Sequence, residues 1–392
     1  MHAFASADPV FLALNRRMQR ETKGALGNLC VQCHAPLAAK TGATKDGLDL
    51  DKLDPRLLGI GCLACHGAEY VGGPLHNNSL TIASDLDMRG SYSDPVANPV
   101  HTSRYSPGHD ATHDAAPVFC GSCHDIENPR GVAVERTFAE WSRSHFALEG
   151  TGSCGTCHMP ARTDLAAVAP GAGPRVVHDH SMVGVDVATL PFPENDAQRS
   201  AIEKSLSDAL SATLCVAGDA QGVRLDVSLR NVKVGHSWPS GAGQDRRAWV
   251  EIEAFSKGVS VFSSGKVAED VAVRSLVDPQ LFLLRDTHFD ERGEETAFLW
   301  NTARVESLLV PAASSSRAPA AESERHHAYT FVGLLPDRVT MRVKIRPVDL
   351  DLLAELVRSG DLAPELARTT PTFTLRSTEL TWTGERPCVS TP

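Results

Sequence analysis

The stretch Cys30-Val31-Gln32-Cys33-His34 introduces a pattern that organises the first half of this chain. Two cysteines separated by two residues, with a histidine directly after the second, occur four times between residues 30 and 158. The other copies are Cys62-Leu63-Ala64-Cys65-His66, Cys120-Gly121-Ser122-Cys123-His124 and Cys154-Gly155-Thr156-Cys157-His158. Because these motifs use eight of the ten cysteines, chance repetition is a poor explanation for them.

The spacing has a chemical reason. Two thiols three positions apart can add to the two vinyl groups of one haem, and the next residue then places an imidazole under the iron. The sequence therefore predicts four covalently attached c-type haems, held by the eight motif cysteines, with His34, His66, His124 and His158 as first axial ligands. Zinc ribbons also contain Cys-x-x-Cys, but zinc does not need a histidine after each pair. A thioredoxin-like redox motif would occur as a single copy.

Composition and length bound the other possibilities. The 392 residues are enough for two domains, and the formal net charge of −10 argues against nucleic acid as a partner. No stretch reaches the 18 or so apolar residues of a membrane span, and the residues after Met1 lack the features of a signal peptide. Since c-type haem is attached outside the cytoplasmic membrane, we expect a periplasmic or extracellular protein whose export signal lies upstream.

The distribution of apolar and polar residues along the chain predicts an α+β fold. Residues 1–184 hold 12 of the 16 histidines and have weak apolar periodicity, so we expect short helices, long loops and an interior supplied by porphyrin. Residues 185–220 are interpreted as a helical connector, with one helix over residues 195–214. Residues 221–392 are predicted to form an antiparallel β-sandwich-like domain interrupted by a helix at Leu350–Arg358. Its predicted strands are Val223–Leu229, Ala248–Phe255, Val259–Ser263, Thr296–Asn301, His327–Val332, Val339–Ile345 and Thr372–Leu375.

The two remaining cysteines lie at opposite ends of this second half. A disulfide between Cys215 and Cys388 would tie the C-terminal tail to the start of the β-domain. Two separate thiols are the alternative.

Each haem iron has a second axial position, and its occupant decides between electron transfer and chemistry on a substrate. Here a family resemblance helps. Trp141-Ser142-Arg143-Ser144-His145, ahead of Cys154 and His158-Met159-Pro160, resembles an element of multihaem cytochromes that include the tetrahaem electron carrier of hydroxylamine oxidation. The family pattern has one more residue before its histidine. The resemblance implies that His145 is a distal ligand, and Met1-His2-Ala3 is similar to the end of a second such element, which implies the same for His2.

The resemblance also implies that His101, in the loop before the third motif, and His180, after the last motif, are distal ligands. His109 and His113 compete with His101, His178 is a neighbour of the ligand His180, and His76 is a further option. Methionine ligation by Met18, Met88 or Met182 is an alternative. We expect mostly bis-histidine haems of low potential.

In the second half, Gly235-His236-Ser237-Trp238-Pro239 and the following Arg246-Arg247-Ala248-Trp249 resemble a β-domain attached to multihaem cytochromes. His236 is either a haem ligand or a histidine of the turn. Arg246 and Arg247 either pair with haem propionates or begin a solvated strand.

Three functions remain open. The first is electron transfer to and from redox partner proteins, in a chain that is not itself an enzyme. The second is an oxidoreductase that acts on a small nitrogen or sulfur compound at one open haem. The third is a homo-oligomer or haem filament in which a ligand comes from a neighbouring copy.

Overall fold

The computed structural model describes residues 1–85, 87–368 and 370–391. Most of the helices are short. The helices are α1 (Pro9–Glu21), α2 (Val31–His34), α3 (Pro36–Lys40), α4 (Cys62–His66), α5 (Ala116–Gly121), α6 (Thr137–Ser142), α7 (His145–Leu148), α8 (Cys154–His158), α9 (Asn195–Leu206) and α10 (Leu350–Arg358).

Local sequence explains where several of these helices begin and end. Asp8 caps α1 by accepting a hydrogen bond from the backbone N–H of Val10 at 3.0 Å, and Pro9 occupies the first helical position. The helix that carries the first motif stops at His34 because Ala35 precedes a proline and leaves the helical region, with φ −147° and ψ 66°.

Small two-stranded sheets complete the first half of the chain. They pair as β1 with β2, β3 with β4, β5 with β6 and β7 with β8, and only the β3–β4 pair is parallel among the described residues. The strands are β1 (Ala68–Val71), β2 (Leu80–Ile82), β3 (Met88–Gly90), β4 (Ser103–Tyr105), β5 (Ile126–Glu127), β6 (Ala133–Glu135), β7 (Ala161–Leu165) and β8 (Pro174–His178).

The second half contains the two large sheets. The strands are β9 (Leu210–Asp219), β10 (Gly222–Asn231), β11 (Arg247–Ser256), β12 (Val259–Ser264), β13 (Leu283–Leu284), β14 (Asp286–Phe289), β15 (Arg304–Ser307), β16 (Glu324–Phe331), β17 (Arg338–Arg346), β18 (Phe373–Trp382) and β19 (Cys388–Ser390). One antiparallel sheet has the order β16-β10-β9-β19, and the other has the order β12-β11-β17-β18 with β13 also on β11. The predicted α+β class is therefore confirmed.

The two sheets share one apolar core. Leu214 and Leu225 from the first sheet join Val250 and Val343 from the second in a single cluster, and all four side chains are fully buried. Side chains along each strand alternate between this core and the outside, as a sheet with one covered face requires. This is the packing expected of a β-sandwich.

The helix predicted over residues 195–214 is wrong beyond Leu206. The chain turns after α9, and strand β9 begins at Leu210, so the sheet starts inside the segment interpreted as a helical connector. Leu206, Leu210 and Leu214 recur every four residues, and a spacing of four fits both one helix face and one side of a strand. The buried residues Leu210, Ala212, Leu214 and Val216 follow the period of two that β pairing imposes.

Of the other predictions for the β half, one strand is wrong and the rest are confirmed. Helix α10 has the predicted bounds, Leu350–Arg358, and the predicted strands other than Thr296–Asn301 correspond to β10, β11, β12, β16, β17 and β18. The strand predicted at Thr296–Asn301 is wrong, since Leu299–Asn301 is a 3-10 helix. Phe298 and Trp300 pack there against α1 and α10, so burial against helices accounts for this apolar run.

Helix α1 joins the two halves of the chain. Val10 and Met18 share an apolar cluster with Leu353 and Leu356 of α10. Arg20 also forms two parallel hydrogen bonds to the Asp361 carboxylate, at 2.6 and 2.7 Å, a bidentate geometry that is stronger than a single contact. Among the described residues, none of the helices is both long and apolar enough to cross a bilayer.

Candidate haem-binding site

Three of the four Cys-x-x-Cys-His motifs lie on short helices of their own, α2, α4 and α8, while the third begins in α5 and continues into the turn after it. A helical turn brings residues three and four positions apart onto one face. The two thiols and the imidazole of each motif therefore point the same way. In α8, Ser153 strengthens this arrangement by accepting from the backbone N–H of Thr156 at 3.1 Å.

All four motif histidines turn their Nδ1 atom toward an oxygen. For three the oxygen is a backbone carbonyl, and for the fourth it is a carboxylate. The pairs are His34 with Ala5 at 3.1 Å, His66 with Arg89 at 2.6 Å, His158 with Val183 at 2.9 Å and His124 with the Glu135 Oε1 atom at 3.6 Å. A metal-binding histidine usually has its second nitrogen held in this way, which leaves Nε2 for the metal.

Three motif histidines also face a second histidine. An imidazole nitrogen lies about 2 Å from a metal that it binds, so two imidazoles on one iron have ring centres roughly 6 Å apart. The observed separations are 6.2 Å for His2 and His124, 6.0 Å for His180 and His66, and 6.4 Å for His236 and His158. These distances fit a metal between each pair.

Besides His180, His109 also lies near His66. The ring centre of His109 is 5.6 Å from that of His66, slightly closer than His180. However, His109 uses both ring nitrogens, with Nδ1 at 2.9 Å from Ser106 Oγ and Nε2 at 2.8 Å from the Cys65 carbonyl oxygen. His180 contacts the His178 carbonyl oxygen through Nδ1, at 2.9 Å. His180 is therefore the better candidate for the iron.

The surroundings of His34 differ from those of the other three. Its ring stacks face to face on Phe11, with ring centres 4.1 Å apart and an interplanar angle of 5°. Among the ring contacts of the described residues, His34 has no histidine partner. The Met18 Sδ atom lies 3.5 Å from Cys30 Sγ, beside the attachment point of the same motif.

His236 is held in place by both halves of the chain. The turn that carries it receives a hydrogen bond from Asn231 Nδ2 to the His236 carbonyl, at 2.8 Å. On the side of the first half, Glu140 of α6 accepts from the Ser237 backbone N–H at 3.2 Å and from Ser240 Oγ at 2.7 Å. Burial raises the pKa of the Glu140 carboxyl. The sequence alone did not decide whether His236 is a haem ligand or a histidine of the turn. The position of its ring opposite that of His158 favours the ligand.

Two other predicted ligands lie elsewhere. His101 is exposed, and its Nδ1 atom contacts the Thr102 carbonyl and Ser103 Oγ, both at 3.1 Å. His145 contacts the Ala313 carbonyl through Nδ1 at 3.3 Å, and its ring lies 4.0 Å from that of Phe146. Among the described ring contacts, neither faces a motif histidine.

Arg246 and Arg247 are both buried, so the solvated interpretation of this strand start is wrong. Arg246 pairs with Asp186 and Arg247 with Asp351, each at 2.8 Å. The Nε atom of each lacks a hydrogen-bond partner within the described structure.

Burial favours the neutral form of two of the facing histidines, His2 and His236. Burial lowers the pKa of His2 to about 4, with a further contribution from His124, and burial lowers the pKa of His236 to about 4 as well. A neutral imidazole is the form that binds a metal. At His124, burial also lowers the pKa, but the Glu135 carboxylate outweighs it and raises the value to about 9.

Two of the motif cysteines have the properties of unreactive thiols, whereas contact with Cys33 lowers the pKa of Cys123 to about 7. Burial raises the pKa of Cys30 to about 12 and that of Cys65 to about 11. A redox-active Cys-x-x-Cys pair has a lowered pKa, because the thiolate is the reactive form. These two thiols are therefore poor nucleophiles at neutral pH.

Contacts between cysteines reveal how the motifs are grouped. The Cys33 thiol interacts with the Cys123 thiol, and the Cys120 thiol interacts with that of Cys154. The charges of Cys120 and Cys123 also contribute to the raised pKa of Cys65 of the second motif, so these groups lie near one another. The third motif is thus the centre of the group and has the other three around it.

The described residues 67–85 and 87–184, which include the third and fourth motifs, lack an apolar core of their own. Of the described residues 67–85 and 87–184, three apolar side chains are buried: Ala68, Leu80 and Val134. So little burial cannot offset the conformational entropy of ordering this segment. Four large apolar porphyrins would supply the missing interior, so the composition of the site fits haem.

Comparison with known proteins gives the class of fold. No family model matches this chain, and no curated protein matches it. Among solved structures, the chain has the fold of a multihaem cytochrome c. The match is to the crystal structure of a penta-heme cytochrome c552 from Thermochromatium tepidum, with a TM-score of 0.60 and 18% sequence identity. It covers 95% of this chain and 94% of that chain, so the likeness includes both halves.

The match bears on the resemblance drawn from the sequence. It supports the broad class of multihaem cytochrome fold, while the narrower likeness to the tetrahaem carrier of hydroxylamine oxidation stays a prediction. The matched protein has five haems by its description, whereas this chain has four Cys-x-x-Cys-His motifs.

Proposed function

We propose that this chain is an electron-transfer protein with four c-type haems, located in the periplasm or outside the cell. The observation that carries the proposal is the grouping of the other three attachment motifs around the third, with three motif histidines facing a second histidine at 6.0–6.4 Å. A bound c-type haem supplies one-electron redox chemistry at its iron. Its physiological partners are redox proteins.

In this proposal the eight motif cysteines hold the haems covalently and the four motif histidines are the proximal ligands. His2, His180 and His236 are the distal ligands opposite His124, His66 and His158. A haem held by two of these histidines would have no free position for a substrate, which favours electron transfer. His101 and His145 stay predictions that rest on the family resemblance alone.

The β half of the chain has a structural role in this function. It supplies His236 across the contact with α6, and Asn128 of the first half donates to the Leu299 and Thr302 carbonyls at 3.0 and 2.7 Å. These contacts hold the two halves in register. The haem held by His158 is therefore complete only when the β half is folded and in place.

A second function rests on one observation. His34 has Phe11 rather than a histidine as its described ring partner, which favours an open axial position at the first haem. An open position would allow the oxidoreductase function on a small nitrogen or sulfur compound.

Spectroscopy of the haem-loaded protein decides between the two. The pyridine haemochrome spectrum should give four haems per chain; fewer would contradict the attachment prediction. For a pure carrier, EPR of the oxidised protein should show low-spin iron only, and the reduced protein should not bind carbon monoxide. A high-spin signal with a carbon monoxide adduct in the native protein would instead support the oxidoreductase.

The distal ligands can be tested one at a time. His2→Ala, His180→Ala and His236→Ala should each convert one haem from low spin to high spin, because each removes one axial nitrogen. His109→Ala is the matched control, since its ring is equally near a motif histidine but has both nitrogens occupied. A low-spin spectrum in His236→Ala would contradict its assignment, and His145→Ala tests the ligand that the resemblance implies.

A further inference from the structure

One of the four motif histidines has an anionic partner. The Nδ1 atoms of His34, His66 and His158 face neutral backbone carbonyls, whereas that of His124 lies 3.6 Å from the Glu135 carboxylate. The oxygen that Nδ1 faces is therefore neutral at three of the four sites and charged at one.

The local fold holds Glu135 beside His124. Strand β5 begins two residues after His124, and the hairpin returns in β6 with Glu135 directly opposite Ile126. Gly131, with φ +75°, allows the chain to reverse between the strands. The preceding Val134 is fully buried, which anchors the returning strand.

Glu135 is partly shielded from solvent, with 16% of its side chain exposed. Among the ion pairs of the described residues, His124 is its partner, and the adjacent Arg136 instead contacts Asp286 at 2.7 Å. The negative charge of Glu135 is therefore directed at the imidazole and is not neutralised by a neighbouring cation.

A carboxylate next to Nδ1–H makes a metal-bound imidazole more basic and places a negative charge near the metal. Both effects stabilise Fe(III) more than Fe(II), because the oxidised iron carries the greater positive charge. Hydrogen bonding around an axial ligand is one of the levers by which a protein adjusts haem potential.

We propose that Glu135 lowers the reduction potential of the haem held by His124, and so makes the central attachment site harder to reduce than a carbonyl acceptor would. This inference rests on the proposed function, since it requires that His124 binds a haem iron. Electrons that pass between the outer haems would then meet their least favourable step at the centre.

The test is redox titration of haem-loaded Glu135→Gln, which removes the charge and keeps a side chain of similar shape. The equilibrium constant for one-electron reduction of the haem at His124 should rise about tenfold, a shift of 59 mV, while the potentials of the haems at His66 and His158 stay in place. Glu127→Gln, on the paired strand of the same hairpin, is the matched control and should move none of them. EPR followed during the titration identifies the shifted haem by its signal.

Unchanged potentials in Glu135→Gln with four haems bound would overturn the proposal, as would an equal shift of all four. Glu135→Asp keeps the charge and should retain the low potential even if Glu135→Gln assembles poorly. A roughly tenfold rise of the equilibrium constant for reduction of this haem in Glu135→Asp would therefore also contradict the proposal. Absence of haem from the native protein would instead refute the proposed function.

Discussion

Asp245 is a buried carboxylate in the turn before strand β11. It is 8% exposed, and its Oδ1 atom has no hydrogen-bond partner within the described structure. Burial raises the pKa of Asp245 to about 7, although Arg247 and Arg246 act in the opposite direction. The folded protein therefore holds a proton on Asp245 at a pH where the unfolded chain has already lost it.

This shift predicts a dependence of stability on pH. From about pH 4 to about pH 7 the folded state binds more protons at Asp245 than the unfolded state, so this group makes the free energy of unfolding fall as pH rises. Asp245→Asn should remove that part of the decrease, as measured by urea unfolding at pH 5 and pH 8. Exposed Asp270→Asn is the control, and a slope in Asp245→Asn equal to that of the native protein would contradict the prediction.

At the scale of elements, strand β9 connects several parts of the molecule. It pairs with β10 on one side and with the short strand β19 on the other, and Cys215 lies directly opposite Cys388. These two cysteines form a disulfide, which is one of the two alternatives that the sequence left open. The bond fastens the C-terminal tail to the first strand of the sheet across a separation of 173 residues.

Removal of this bond should destabilise the β half. Closing a long loop restricts the unfolded chain, and a native disulfide typically contributes about 2–4 kcal/mol. The double variant Cys215→Ser, Cys388→Ser should therefore unfold at lower urea concentration, as followed by circular dichroism. Thr213→Ala, which removes a neighbouring hydrogen bond between β9 and β19, is a milder control. Equal unfolding midpoints for the native protein and the double variant would refute the prediction.

At the scale of the whole molecule, the two halves have different kinds of interior. The β half is built around one apolar cluster from two sheets, whereas residues 67–85 and 87–184 contain three buried apolar side chains. That segment of the first half therefore depends on the proposed haems for its core, and the third motif lies at the centre of the four motifs. The halves meet through α1, α10 and the turn that carries His236.

Loss of the central haem should loosen the first half more than the second. In Cys120→Ser, Cys123→Ser the third haem has no covalent attachment, and we expect limited proteolysis to cut within residues 67–184 at least tenfold faster than in the native protein. Residues 210–391 should resist as before, because their core is apolar side chains. The same substitutions at Cys62 and Cys65, away from the centre, should have a smaller effect. Equal cleavage rates in both halves would contradict the prediction.

The sequence by itself determined what local chemistry dictates. Cys-x-x-Cys-His carries its own spacing, so four attachment motifs could be recognised from order alone, and alternating apolar residues predicted most strands of the β half. Helix α10 was predicted with its bounds because its apolar face and its Ser359-Gly360 stop are both local signals. Leu206, Leu210 and Leu214 show where local signals end, since a spacing of four residues does not separate a helix from a strand.

Only the tertiary structure decided which groups meet. His236 lies 78 residues beyond His158 in sequence, and its role depends on how the turn of the β half docks on α6. The family pattern favoured His145 and His101, but histidines are paired by folding across long separations, not by the residues next to them. In the same way, Glu135 differs from any other glutamate because the β5–β6 hairpin returns it to His124. The motifs thus follow from covalent spacing, whereas partners and charges around each motif follow from the packing of distant segments.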